Sequence, residues 1–442
     1  MKKVDLTTGN VTSVLISLAL PVMGGSLLQF CYSLVDTLWV GRLGTDAVAS
    51  IGSSTFYIGL GYAINALVVV GGGIKISHNV GSGDEEMAKA YINMSLILNT
   101  VLAILYSLFL AIAGKSLINF LNINNENVVH YAYLYLMCNV PVLFFAFYNI
   151  LFTRILGSYG NNKAAFKISA IGAITNMILD PIFIYTLKLG ILGAALATLI
   201  SNIIMFCIYL TWGKNIICYT KNISLKKEYL IQILKLGFPM SFQRILFTGV
   251  NIMLGKIIAI YGAEAIAAQK IGLQIESVML MIVGGLNGAM ASFTGQNYGA
   301  RKFDRMSRGY NIAISMGISY SIFMMLMFLI FPTKLASLFV TDALTIAISV
   351  NYLKIISLSL AFATIEMITN GFFTGLGIPR VSAKISISFT LLRIPLALWL
   401  TQFFDSSGVW LSIAISSALK GIAVAIYYRL KIFPKLKNNQ LL

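Results

Sequence analysis

Gly44-Thr45-Asp46-Ala47-Val48-Ala49 returns in the second half of the chain as Gly262-Ala263-Glu264-Ala265-Ile266-Ala267. The same offset relates Leu18-Ala19-Leu20-Pro21 to Leu236-Gly237-Phe238-Pro239, and Asn79-Val80-Gly81 to Asn297-Tyr298-Gly299. No gap interrupts the register across these pairs, and further on Gly160 meets Gly377 with the register shortened by a single position. A fixed period of this kind means that one structural unit is present twice.

The residues around the matched pieces say what that unit is. Of the 442 residues, 58% are hydrophobic and only 11% charged, and the mean hydropathy is +0.85. Soluble domains carry about 25% charged residues, so solvated loops and surfaces must be few here. Apolar runs cover 12–37, 47–74, 90–113, 128–152, 164–187, 190–212, 232–258, 264–292, 311–331, 345–373, 381–402 and 408–430. Each is near the roughly 20 residues that carry a helix across about 30 Å of hydrocarbon. Alternation with period 2 is absent, so the spans are helices rather than barrel strands. The expected fold is an all-α membrane protein of twelve transmembrane helices in two pseudo-symmetric six-helix lobes. The lobes are 1–212 and 232–442, joined by a more polar cytoplasmic linker, 213–231. Six is even, so the copies share one orientation, related by an axis along the membrane normal, with substrate expected between them near the midplane.

The formal net charge of +17 is a topology signal. Of the 32 Lys and Arg residues, 22 fall on one side of the twelve-helix layout and five on the other. Cations accumulate on the cytoplasmic side, so both termini are expected there, in a bacterial inner membrane. The dispersed placement gives no basic face for nucleic acid. The first apolar run leads to Asp36 and Trp39 rather than to a small-residue cleavage site, which reads as a retained helix and not a removable signal peptide. Cys31, Cys138, Cys207 and Cys218 form no C-x-x-C pair, so neither a disulfide framework nor a zinc site is indicated.

Several stretches resemble the multidrug and toxic compound extrusion (MATE) family. They are Val35-Asp36-Thr37-Leu38-Trp39-Val40-Gly41-Arg42-Leu43-Gly44, Asn176-Met177-Ile178-Leu179-Asp180-Pro181, Gly295-Gln296-Asn297-Tyr298-Gly299-Ala300 and Thr374-Gly375-Leu376-Gly377-Ile378-Pro379-Arg380. The similarity keeps its order over essentially the whole chain. It implies a two-lobed antiporter, one chain per transporter, that exports small organic cationic drugs across the lipid bilayer against inward Na⁺ or H⁺ movement, with no other cofactor.

Four of the 15 acidic residues are embedded within apolar runs rather than at their edges: Asp36, Asp180, Glu276 and Glu366. An ionised carboxylate at the bilayer centre costs at least about 2.5–3.5 kcal/mol, so each needs a partner or a task. Asp180 comes one helical turn after Asn176, which puts both on one helical face. The resemblance implies a cation-coupling site of Asp36, Asn176, Asp180 and Thr198, holding either Na⁺ or a shared proton. The plainer reading has Asp180 kinking the helix at Pro181 and Asp36 sitting in the headgroup layer. Pro21 removes a backbone hydrogen bond in the first helix. The resemblance implies a bend there, and a static proline is the ordinary alternative. Glu276 and Glu366, with Arg393 and Lys270 in nearby apolar runs, read first as structural ion pairs and otherwise as substrate or proton contacts. Residues 231–258 contain no Asp or Glu, unlike family branches with a coupling carboxylate in the seventh helix.

No nucleophile–base motif or H-E-x-x-H occurs, so an enzyme is not expected. A lipid-linked precursor flippase of the wider superfamily is the main alternative. Its cavity would be basic, to meet pyrophosphate, whereas the embedded charges here are mainly acidic. A passive channel accounts less well for the repeat and the embedded acids.

Overall fold

The computed structural model describes residues 4–221, 223 and 225–440. Lys2 and Lys3, two of the cations expected on the cytoplasmic side, lie outside these residues. The first half forms α1 (Val11–Gly41), α2 (Thr45–Ser82), α3 (Glu85–Phe120), α4 (Glu126–Ser158), α5 (Asn162–Pro181) and α6 (Gly190–Trp212). The second half forms α7 (Lys227–Ala259), α8 (Ala263–Gly299), α9 (Phe303–Ile330), α10 (Ala343–Ser357), α11 (Leu360–Gly375), α12 (Pro379–Leu391) and α13 (Arg393–Tyr427). No strand occurs among the described residues.

Among the described residues these elements make twelve crossings. The helices α1 to α9 are each long and apolar enough to span a bilayer, and α10 with α11 pass together as one span bent by 54°. The run expected at 345–373 is therefore broken, although it holds neither Pro nor Gly at the break. Ser357 and Ser359 flank the break. Their hydroxyls bond back to the carbonyls of Lys354 at 2.7 Å and Ile356 at 2.9 Å, competing with the helical ladder. The last apolar stretch, Pro379–Lys437, has 59 residues. At 1.5 Å per residue it would run roughly 90 Å, three times the hydrocarbon thickness. It breaks at Phe404 and Asp405, whose backbone angles leave the helical region, and so supplies two crossings.

The repeat survives in the turns. Gly44 and Gly262 precede α2 and α8 at φ 106° and 96°. The amide of Asp84 bonds the Asn79 carbonyl at 3.0 Å, and that of Lys302 bonds the Asn297 carbonyl at 2.8 Å. Asn161 to Leu156 at 2.8 Å is matched by Ile378 to Phe373 at 2.9 Å. Lys188 and Asp405, which hold corresponding places in the two halves, both take left-handed backbone at φ 53° and 47°.

Packing divides the chain into two compact units that do not follow the sequence halves. One holds residues up to Asp5 and Gly24–Ser241, and the other holds Leu6–Met23 and Phe242–Leu442. The boundaries drawn at 1–212, 213–231 and 232–442 track the repeat; the units track buried contacts. In the first unit Tyr229 and Ile233 of α7 share a core with Val68, Tyr91 and Phe152. In the second, Leu15 and Leu18 of α1 share a core with Leu286, Met290 and Phe372. Two glycines allow the approach. A Cβ on Gly237 would fall 1.7 Å from the Leu67 carbonyl oxygen, and one on Gly285 would fall 2.4 Å from Met23 Cγ. Small residues at such points let helix backbones meet. Two of the three divisions, between Met23 and Gly24 and between Ser241 and Phe242, come just after a proline, Pro21 and Pro239.

Candidate functional site

In the first unit α5 runs regularly from Asn162 to Pro181 and then changes to a π-helical turn, Ile182–Thr186. Proline cannot donate to the ladder, and widened turns of this type often mark functional positions. Asp180 immediately precedes that proline. Asp180 is fully buried and Asn176, one turn earlier, is 3% exposed. The amide orientation that satisfies Asn176 has its nitrogen donate to Asp180 Oδ2 at 2.8 Å. Its oxygen then accepts from Thr198 Oγ1 at 3.2 Å and from the Thr198 amide at 3.0 Å. Thr198 belongs to α6, which packs on α5, so three of the four expected residues form one hydrogen-bonded chain.

Asp36 reaches this group from α1. It lies within electrostatic range of Asp180, with the hydroxyls of Tyr32 and Tyr135 close to both carboxylates. The end of α1 is held over the π turn by Tyr185. Its hydroxyl donates to the Trp39 carbonyl at 2.5 Å, and the two rings meet edge to face with centroids 5.8 Å apart. Trp39 stands about one turn beyond Asp36, and Tyr185 one π turn beyond Asp180, so this contact ties the end of α1 that carries Asp36 to the turn that follows Asp180.

Four participants escaped the sequence reading. Tyr32 bonds Thr198 and lies one turn before Asp36, a spacing that was available in the sequence. Asn202, one turn after Thr198, donates to its carbonyl at 2.9 Å and accepts from Asn149 of α4 at 3.1 Å. Tyr135 and Asn149 of α4 enter only through packing, which periodicity does not encode.

Two acceptors of this network lack a donor: Asn149 Oδ1 and, at the carboxylate itself, Asp180 Oδ1 are buried without a hydrogen-bond partner. Such a carboxylate oxygen calls for a proton or a cation. Among the described residues no three His, Cys, Asp or Glu side chains cluster as for a transition metal. Two carboxylates with an amide and a hydroxyl oxygen instead suit a hard cation.

The second unit buries a separate charge cluster. Glu366 on α11 pairs with Lys420 on α13 at 3.0 Å and accepts from Ser386 at 2.6 Å. Arg393 donates to Ser416 at 2.6 Å and Ser417 at 3.2 Å, and lies within electrostatic range of both Glu366 and Glu276. Glu276 accepts from Tyr352 at 2.7 Å. The ring of Phe247 is flanked by Arg393 and Lys420, 5.2 and 5.6 Å from its centroid. The expected partner Lys270 is exposed. Lys420 replaces it because α11 packs against α13, and Lys420 passed unnoticed among apolar neighbours in sequence.

The MatE family model matches residues 21–182 and 239–399, one block in each half. The chain is 27% identical to "Multidrug export protein MepA" of Staphylococcus aureus (strain N315), covering 94% of this chain and 93% of that one. It is 26% identical to "FAD transporter" of Shewanella oneidensis, covering 95% and 94%. Among solved structures, a MOP superfamily transporter from Pyrococcus furiosus superposes with a TM-score of 0.93 at 26% identity, covering 99% of both chains. That protein is described as having a binding pocket of reverse polarity that suggests a different function. Two matched blocks in two repeats, twelve spans and full-length similarity identify this chain as a multi-pass membrane protein that belongs to the MatE family of transporters.

Proposed function

We propose that this chain is a secondary active exporter of small organic cations, driven by inward movement of Na⁺ or H⁺ through the Asp36–Asp180 site. The observation that carries this reading is the buried, donorless Asp180 Oδ1 beside a second carboxylate. Two ionised carboxylates in a dry site repel, and a cation or shared proton relieves that repulsion. For Na⁺ the ligands would be oxygens of Asp36, Asp180, Asn176 and Thr198, and the ion would supply the compensating positive charge. Asn176 orients Asp180. Occupancy then favours one arrangement of α1 and substrate favours the other, the opposed preference that antiport by alternating access requires. Pro21, placed just before α1 passes from one compact unit to the other, is the proposed hinge. The family assignment supports export over the flippase reading, and a single chain is the proposed working unit. The names of the relatives cover drugs and FAD, so substrate charge needs its own test.

The deciding measurement is efflux of a fluorescent lipophilic cation from membrane vesicles with ΔpH and ΔNa⁺ imposed separately. Export should follow one of the two gradients, and export that survives collapse of both would overturn the proposal. The proposed location is a bacterial inner membrane with both termini cytoplasmic. Reporter fusions after Lys188 and after Lys437 should then report opposite sides of the membrane, and the same side for both would contradict the assignment.

A further inference from the structure

We propose that the second unit carries a site for the phosphodiester headgroup of an anionic membrane lipid, centred on Arg301 and Arg308. These residues line a cavity of about 410 Å³ together with Val11, Lys302, Phe303 and Arg305. Asp304 is the one acid on its wall among the described residues. Four basic side chains against one acid give the cavity a strong preference for anions. Guanidinium groups match phosphate oxygens in a two-pronged geometry that an ammonium lacks.

The cavity sits at headgroup level. Val11 is the first residue of α1, and Phe303 is the first of α9, both membrane-crossing helices. Tyr298 and Phe303 pack edge to face nearby with centroids 6.3 Å apart, as aromatic residues do at membrane interfaces. One side of the wall is fixed. Lys302 Nζ donates to the Thr7 carbonyl at 2.8 Å, and Arg305 donates to the carbonyls of Gly9 and Thr8, each at 2.6 Å. Arg301 and Arg308 are both exposed. The start of α9 adds its unsatisfied amides and the positive end of its dipole, with no side-chain cap at Lys302.

Arg301 supplies a further argument through the repeat. Its backbone is left-handed at φ 57°, and the equivalent position in the first half is Gly83 at φ 81°. That backbone suits glycine and is strained for arginine. The second half therefore keeps a guanidinium where the first half has relaxed the turn. A ligand for that guanidinium accounts for the difference.

The test uses the purified full-length protein in detergent, with phosphatidylglycerol and phosphatidylcholine of identical acyl chains competing for it. Lipid retained by the intact protein is counted by native mass spectrometry. The wild type should retain phosphatidylglycerol preferentially. In Arg301→Gly/Arg308→Gln that preference should fall roughly 30-fold. Arg301→Gly alone relaxes the turn, so it should lose part of the preference with an unchanged or higher unfolding temperature. Lys214→Gln/Lys221→Gln, which removes two exposed cations elsewhere, should leave the preference intact. Equal retention of both lipids by the wild type, or an equal loss in the lysine control, would overturn the proposal. Displacement of the lipid by an equimolar concentration of inorganic phosphate would also overturn it, assigning the site to free phosphate.

Discussion

Asp180→Asn protein should insert and fold normally yet lose gradient-driven export by about 100-fold, the upper range of coupling between two sites. The amide is nearly isosteric and can still meet Asn176, so burial at α5 is little disturbed. It removes the charge that the coupling ion or proton must neutralise. Asp36→Asn should do much the same from α1. The double variant should be scarcely worse than either single one, because residues that act as one unit are not additive. Initial rates against imposed ΔpH and ΔNa⁺ in vesicles check this. Full gradient dependence in Asp36→Asn would place coupling elsewhere in the molecule.

Lys420→Met should be the most destabilising of the simple charge removals. Glu366 and Lys420 are 7% and 4% exposed and paired at 3.0 Å. Removing one partner of a buried pair leaves an uncompensated charge at a cost of about 3–5 kcal/mol. The double change Glu366→Gln/Lys420→Met removes both charges and should restore most of that loss. Glu366→Gln alone should lower stability or substrate affinity while leaving gradient dependence in place. Unfolding of purified protein in the four-member cycle gives the coupling energy directly. Additive losses in the double variant would mean that the pair does no structural work.

Twelve spans and the repeat were legible because hydrocarbon imposes one demand, an unbroken apolar run, and because the two copies kept their register. The bend between α10 and α11 was not legible. Ser357 and Ser359 turn their hydroxyls onto the backbone there, which leaves the hydropathy of 345–373 unchanged. At the matching place the first half has Pro141, yet α4 continues through it. Local sequence signals a possible break, and packing decides whether it occurs. Similar logic applies to the site. Asp36, Asn176, Asp180 and Thr198 stood out by type and resemblance, and Tyr32 and Asn202 by helical spacing from them. Tyr135, Asn149 and Lys420 come from helices distant in sequence, and only the packed bundle brings them in.

The allocation of Leu6–Met23 to the second unit has a consequence for how the protein is made. Leu18 is buried in a core that includes Phe293, which the ribosome reaches only much later. At roughly 5–20 residues per second, that interval lasts about 15 to 55 seconds. Throughout it the leading segment of the first helix must rest against lipid or an insertion factor. The converse holds for Lys227–Ser241, which on synthesis finds the rest of the first unit already made. Cutting the gene at the junction of the repeats would therefore yield no autonomous half: each product would lack a slice of its own interior, and the fragments would have to be synthesised together to complete one another.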